Sequence, residues 1–583
     1  MPHRDAVDLA LPSSLLRRHD ARVLDPATAP RELDPRTGDS LPAPSSTVYL
    51  TTRLLVAGLL GLSAVDRIEE LQRVLREAGY AVSLRPDAAD DAFGRWLLVA
   101  VESGADAGVG KEFEQVRSAP MDPEDPVTRI DPGLRVGEVG IEEIDEGYAS
   151  RVYVVPDAGV QEPDPWSLLL AARAAGVKGV DLEHLVLPGG GGLYWGGQGG
   201  GLYWGGQGGG LYWGGQGGGL YWGGQGGGLY WGGQGGIPGV APDRTPVQLA
   251  LPDPTRPARL RRHPVVVIPD TGLGEHPWFT GSDLAVQLRS LLGWPILPGG
   301  RPTPWPEGTG VVDELTGALD PLSGHGTFVA GVVRQAAPGA RIVALPVLDS
   351  AGLAAEQDVM RTLTVVLVLH LISQSQGRET FEESGGVVDV LNLSMGFYHQ
   401  DGEVTHHPVR SLVDLFGRAG VGVAAAAGNQ ATTTPMYPGG WAAQAGTDPD
   451  PTGPVPMVCV GALNPDGCTV AMFSNAGPWV TTHRPGVNVV STLPVTFDAS
   501  AQALRATASP STPDQVRATP DPDNFAGGFG VWSGSSFAVP RLAGQLAHEV
   551  AAAMADGYEG DAAKEMWRRA GQGLARLLEE DEC

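Results

Sequence analysis

Apolar and polar positions alternate along this chain in two different rhythms, separated by a glycine-rich stretch. Residues 1–44 mix charged side chains and prolines without an apolar period, which predicts a disordered tail. Order then begins with Thr47-Val48-Tyr49-Leu50 and Leu54-Leu55-Val56, both strand-like. Ser63 and Asp66 make an S-x-x-D capping box. Val65, Ile68, Leu71, Leu75 and Ala78 follow it at helical spacing, and Gly79 is placed to end the helix. Ala81–Leu84 and Trp96–Val101 read as further strands. After an acidic insertion, Asp164-Pro165 opens a second helix through Ala175, and Val177–Leu187 reads as a last strand. The order β-α-β-β-α-β is a ferredoxin-like, α+β pattern for residues 45–190, which Val152–Val155 would disturb as an extra strand.

From Pro264 the rhythm changes to short apolar runs with helices between them. Val265–Ile268, Ile342–Leu345, Val387–Leu393, Val421–Ala426 and Met457–Val460 suit strands of a parallel sheet buried on both faces. Glu356–Ile372 and Pro408–Arg418 are predicted helices, so residues 261–550 form an α/β domain, followed by a helical tail over 551–583. Residues 191–260 form the link. Within them Leu-Tyr-Trp-Gly-Gly-Gln recurs five times at a nine-residue period, with Trp195, Trp204, Trp213, Trp222 and Trp231 in register. Calcium-binding nonapeptide solenoids need an Asp in each copy, and these copies have none. Two readings stay open, a flexible tether and an aromatic platform for an unidentified partner.

Composition narrows the function. A net charge of −27 and a pI near 4.8 argue against nucleic-acid binding, which needs a basic face. The longest apolar stretch, Leu54–Val65, is shorter than the roughly 20 residues a membrane span requires. With no apolar signal-peptide core near the start, the expectation is a cytoplasmic protein without a membrane partner, leaderless export being the alternative left open. Cys459, Cys468 and Cys583 are too few for a disulfide framework, and Cys459 in an apolar run is expected to be buried and inert. No Cys/His spacing suits zinc, and His406-His407 reads as a solvated loop pair.

Three motifs carry chemistry. Val266-Val267-Ile268-Pro269-Asp270-Thr271-Gly272 places an Asp at a strand end. Gly324-His325-Gly326-Thr327-Phe328-Val329-Ala330-Gly331 starts a helix on a His. Gly534-Ser535-Ser536-Phe537-Ala538-Val539-Pro540 starts another on a Ser, with the proline expected in its first turn. Each has a structural reading as a turn or a helix start. Together, in the chain order Asp, His, Ser, they resemble the subtilisin-like serine protease (subtilase) family over residues 264–546. The resemblance extends to Val388–Gly396, to Ala425-Ala426-Ala427-Gly428-Asn429, to Phe473–Gly477, and to Pro485-Gly486 with Ser491–Pro494.

The resemblance implies a serine endopeptidase acting on polypeptides, with Asp270, His325 and Ser536 as catalytic triad. A serine hydroxyl needs a base to take its proton, so His325 would accept and later return it while Asp270 fixes the imidazole tautomer. Asn429 and the Ser536 N–H would stabilise the oxyanion. Ser394, Met395 and Gly396 would hold an extended peptide as an added strand. Ala426, Ala427 and Gly428 would border a roomy apolar pocket for the residue before the cleaved bond. Residues 46–187 resemble the inhibitory propeptide of many subtilases, tethered here by the repeat. Phe328 stands where many members have a second histidine, Ser535 replaces a threonine and Phe537 a methionine. No cofactor is required. Calcium is left open without an identified site, since Asp448-Pro449-Asp450 and Asp521-Pro522-Asp523 read as solvated loops. A narrow maturation protease and an inactive scaffold are the rival readings.

Overall fold

A computed structural model describes residues 13–33, 37–103, 129–189, 244–247, 251–255, 262–297, 319–377, 386–442, 453–497, 525–557 and 560–579, with a few shorter pieces including 307–308. The aromatic repeat and the two Asp-Pro-Asp loops lie outside the described residues.

The first layer is an antiparallel sheet. Strands β1 (Ala21–Leu24), β2 (Thr47–Ala57), β3 (Val82–Pro86), β4 (Ala149–Pro156) and β5 (Val180–Pro188) carry it. Its main path runs β5-β2-β4-β3, with β1 paired to β2. Helices α2 (Ala64–Glu77) and α4 (Pro165–Ala174) cover one face, burying Leu71, Leu75, Leu168 and Leu169 against Leu54, Val152 and Leu182. Four sequence expectations change here. The presumed tail contains α1 (Ser13–Arg18) and β1, because Leu15 is buried and β1 pairs with β2 from Ala21↔Leu50 to Leu24↔Thr47. Trp96–Val101 is helical, inside α3 (Ala88–Ser103), because Phe93, Trp96, Leu97 and Ala100 recur at helical spacing and are buried. The third core strand is therefore β4, the segment that had looked like an extra. The Ser63 capping box does not form; Ser63 Oγ instead donates to Asp145 Oδ2 at 2.5 Å.

The second layer is a seven-stranded sheet, all parallel. In chain order its strands are β6 (Val265–Asp270), β7 (Ala285–Gln287), β8 (Arg341–Pro346), β10 (Val390–Leu393), β12 (Gly422–Ala426), β13 (Val458–Leu463) and β14 (Thr482–Pro485). They lie in the order β7-β8-β6-β10-β12-β13-β14. Helices α5 (His325–Ala336), α6 (Glu356–Gln376), α7 (Pro408–Arg418), α8 (Ser535–Ala555) and α9 (Ala563–Glu579) surround it. Burial on both faces explains why β6, β8, β10, β12 and β13 read as mainly apolar runs, whereas the edge strands β7 and β14 are partly exposed, carry polar residues and give no such run.

Two short strands of the second layer, β9 (Ala354–Ala355) and β11 (Met395–Gly396), join the two sheets. Both pair antiparallel with β5, on opposite edges: Ala354↔Val186 and Ala355↔Leu185, Met395↔Pro188 and Gly396↔Leu187. The end of β5 is thus threaded between them. Buried charge joins the layers as well. Arg151 on β4 contacts Glu183 and, 3.1 Å away on α6, Asp358. Arg361 of α6 reaches Asp90 of α3 at 2.8 Å. Among the described residues, no helix is long and apolar enough to cross a membrane.

Candidate active site

Asp270, His325, Asn429 and Ser536 converge at the carboxyl ends of the parallel strands, where an open α/β sheet forms its crevice. Asp270 ends β6. His325 is the first residue of α5, preceded by Gly324 at φ 89°, where a Cβ would also meet Leu493 Cδ2 at 2.8 Å. Asn429 follows β12, and Ser536 is the second residue of α8. Pro540 lies one turn deeper in α8 than the sequence suggests. Its missing N–H leaves the Ser536 carbonyl without its helical donor, and that carbonyl accepts the Ser394 hydroxyl at 2.9 Å instead.

His325 Nδ1 lies 2.8 Å from Asp270 Oδ1, both fully buried. Asp270 Oδ1 also accepts the Thr271 N–H at 2.7 Å. Asp270 Oδ2 and His325 Nε2 have no hydrogen-bond partner among the described residues. Trp532 and Phe537 pack on the imidazole with ring centroids 5.5 and 5.3 Å away, and Phe328, at the position of the absent second histidine, packs on both. The Ser536 hydroxyl is turned from His325 and donates to the Ser394 carbonyl at 2.9 Å.

The cleft is filled by this chain's own backbone. The Gly189 N–H donates to the Ser394 carbonyl at 2.9 Å, continuing the pairing of β5 with β11. The Gly189 carbonyl accepts the Ser536 N–H at 2.8 Å, the Ser535 hydroxyl at 2.8 Å and the Asn429 side-chain amide. Ser394, Met395, Gly396, Asn429 and Ser536 therefore all meet the segment Leu187–Gly189. Ser535 as a third donor went unseen: it reads as a mere threonine replacement, yet its N–H is held by Asn429 Oδ1 at 2.9 Å. Gly428, at φ 101°, donates its N–H to Ser535 Oγ at 3.1 Å. Around Gly189 the space is close rather than roomy. A Cβ there would meet Ala426 Cβ at 2.4 Å and Ser536 Oγ at 3.1 Å. Ala427 is buried away in a small cluster with Cys459 and Trp479.

A second cluster lies where β5 meets the parallel layer. His184 Nδ1 is 2.6 Å from Glu356 Oε2, and His184 Nε2 is 2.7 Å from Gln400 Oε1. His399 Nε2 is 2.8 Å from Asp181 Oδ2, and His407 Nε2 is 3.3 Å from Glu356 Oε1. His407 is buried, contrary to its reading as a solvated loop residue, because it caps α7 by accepting the Val409 N–H at Nδ1. Burial pushes the His184 pKa down, but Glu356, Asp181 and the Gln400 hydrogen bond outweigh it and hold it at about 9. Burial takes His407 down to about 4, with Glu356 opposing. Ligand-type atoms of Asp181, His399 and His407, and of His184, Glu356 and His407, lie within 4.8 Å of one another. His407 and His399 both spend Nδ1 accepting a backbone N–H, which leaves Nε2 carrying the proton. A metal ligand needs that nitrogen bare, so this tautomer does not suit a metal, while His407 Nε2 and Glu356 Oε1 approach each other without a hydrogen bond among the described residues.

Residues 261–570 match the Subtilase family model. Subtilisin E from Bacillus subtilis (strain 168) is 25% identical over 253 residues, which are 41% of this chain and 49% of that protein. Subtilisin-like protease 3 from Saccharomyces cerevisiae is 30% identical over 175 residues, 29% of this chain and 32% of that one. The match to subtilisin E thus spans about half of that relative's length. Among solved structures, the Prenylagaramide maturation protease PagA aligns with 52% of this chain and 82% of its own, at 19% identity and TM-score 0.33. A cold adapted subtilisin-like serine proteinase aligns with 55% of this chain and 86% of its own, at 21% identity and TM-score 0.29. With the family model matching more than half of its residues, this chain belongs to the subtilase family.

Proposed function

We propose that the chain is a serine endopeptidase using Asp270, His325 and Ser536, held in check by its own residues 45–190. The observation that carries this is the Gly189 carbonyl, surrounded by the Ser536 N–H, the Ser535 hydroxyl and the Asn429 amide. Those donors surround the oxygen that becomes an oxyanion when a carbonyl is attacked.

For reaction, the Ser536 hydroxyl rotates from the Ser394 carbonyl to His325 Nε2, which carries no other hydrogen bond among the described residues. As Oγ bonds to the carbonyl carbon, its proton passes to Nε2, and Asp270 stabilises the imidazolium through Nδ1. The tetrahedral oxyanion is received by the three donors. Its collapse releases the amine, which takes the proton back from Nε2 and leaves an acyl group on Ser536. Water, deprotonated by the same imidazole, hydrolyses the acyl group.

The first layer acts in this reading as a ferredoxin-like, propeptide-like inhibitor. Its support is the strand order β5-β2-β4-β3 and the threading of β5 between β9 and β11, which is β-strand addition performed by the chain on itself. Labelling Ser536 with a fluorophosphonate tests both parts. Wild type should label slowly and Ser536→Ala not at all, and added residues 1–190 should slow the labelling of a separately purified catalytic half. Equal labelling of both proteins would sink the nucleophile assignment. No slowing at micromolar excess would sink the inhibitor.

A further inference from the structure

One buried carboxyl beside the proposed triad has no role in it. Glu307 belongs to the long insertion between β7 and α5 and is fully buried, with no cation against it among the described residues. Its oxygens take three donors. Thr271 Oγ1 and the Gly324 N–H, the latter at 3.0 Å, meet Oε1, and Thr327 Oγ1 meets Oε2 at 2.5 Å. These donors flank the Asp–His pair on both sides. Thr271 follows Asp270, Gly324 precedes His325, and Thr327 lies two residues beyond it. The link tightens through Thr271 Oγ1, which accepts the Gly326 N–H at 2.8 Å, and Thr327 Oγ1, which accepts the Gly274 N–H at 2.8 Å.

Thr271 has one hydroxyl proton and two carboxylates in reach. Glu307 Oε1 is the nearer, and Asp270 Oδ1 is 3.3 Å away. Asp270 is sensitive to the choice, because its Oδ2 is buried without a hydrogen bond among the described residues. With Glu307 ionised, the Thr271 hydroxyl donates to Glu307, and Asp270 Oδ1 serves only the Thr271 N–H and His325. With Glu307 protonated at Oε1, Glu307 donates to Thr271, whose own proton turns to Asp270. An extra donor spreads the Asp270 charge and weakens its hold on a protonated His325.

We propose that Glu307 is a positioning residue for this triad: through Thr271 it sets how many hydrogen bonds Asp270 accepts, and through Gly324 and Thr327 it fixes the turn that presents His325. This rests on the catalytic reading above. Burial, opposed by the Thr271 and Thr327 hydrogen bonds and reinforced by Asp270, raises the Glu307 pKa to about 7, so the exchange falls near neutral pH. Asp270 is the charged group that faces it, and Thr271, Thr327 and Gly324 are its polar neighbours.

The test uses the full chain and two readouts. The downfield proton resonance of the Asp270–His325 hydrogen bond is followed from about pH 5 to 9, beside the rate of Ser536 labelling by a fluorophosphonate. In wild type both should show a transition near pH 7 that belongs to Glu307. Glu307→Gln, nearly isosteric, should lose that transition and label roughly tenfold more slowly above it, the scale of one altered hydrogen bond to a charged group. Thr271→Val should lose it too, and Thr271→Ser should restore it. An unchanged profile in Glu307→Gln, with wild-type labelling rates, overturns the role of Glu307. Labelling of Ser536→Ala as fast as wild type overturns instead the catalytic reading on which this depends.

Discussion

The Ser536 backbone N–H donates to the Gly189 carbonyl at 2.8 Å across 347 positions of sequence, while the Ser536 hydroxyl faces the Ser394 carbonyl at 2.9 Å. In the proposed mechanism the amide of the nucleophile thus holds a carbonyl of the chain, while its hydroxyl oxygen faces another.

In the proposed mechanism, the bond after Gly189 is the one this arrangement would expose to Ser536. Intact-mass analysis of incubated wild type should find cleavage there, and Ser536→Ala should stay full length. Asn429→Ala should slow the cut by about 10²–10³, the magnitude associated with such a donor in subtilisin rather than one derived from these distances. Cleavage at the same rate in Ser536→Ala would assign it to another agent.

Side-chain size at Gly189 should decide how firmly the cleft is covered. Ala426 belongs to a central strand paired on both sides, so it cannot yield the space a Cβ needs at 2.4 Å. Overpacking of this kind costs about 1–3 kcal/mol. Gly189→Val in the full chain should therefore speed fluorophosphonate labelling roughly ten- to hundredfold. An unchanged rate would mean that β5 is not what limits access to Ser536.

Docking of β5 should weaken on both sides of a pH near 6.5. His184 keeps its proton to about 9 when docked against Glu356, Gln400 and Asp181, and to about 6.5 when free. Its contribution is therefore full below 6.5 and lost as pH rises through 9, roughly 300-fold. His407, held to about 4 beside Glu356 and His399, works in the opposite sense and penalises docking as pH falls from 6.5 toward 4. Hydrogen exchange of β5 amides in Ser536→Ala, after correction for intrinsic rates, should pass through a minimum near pH 6.5. His184→Gln should flatten the alkaline limb alone; an alkaline limb that survives the substitution would clear His184 of the role.

Arg151 should be among the costliest charged residues to remove. It is bonded to Glu183 through Nε at 2.9 Å, to Asp87 at 3.1 Å and to Asp358 at 3.1 Å, all at low exposure. Arg151→Met leaves the fully buried Glu183 with only the more distant Arg53, 3.9 Å away, as a cation, which costs about 3 kcal/mol by chemical denaturation, the low end for a broken buried pair. Adding Glu183→Leu should recover much of that loss. Equal losses in the single and double variants would show that the charge pair is not the cause.

Sequence by itself determined the parallel layer and the residues gathered at its edge. Strands buried on both faces must be apolar throughout, so β6, β8, β10, β12 and β13 stand out as runs. Asp270, His325 and Ser536 stand out for a different reason: each sits at a strand end or helix start among small residues, and that local pattern is continuous in the chain. Helix α7 was legible to its ends, because Pro408 can only open a helix and its apolar residues keep one face. Tertiary structure decided what continuity cannot express. Trp96–Val101 is apolar enough for either a strand or a helix, and only packing against Phe93 and Trp294 chooses. Glu307 looks like any loop glutamate until Thr271, Thr327 and Gly324 surround it. His407 looks solvated until α7 and Glu356 bury it. The occupancy of the cleft by Gly189 arises from pairing between segments more than 200 residues apart, β5 and β11, whose edges carry backbone hydrogen-bonding groups. Such groups are the same in every residue, so no pattern of side chains announces which edge they will meet.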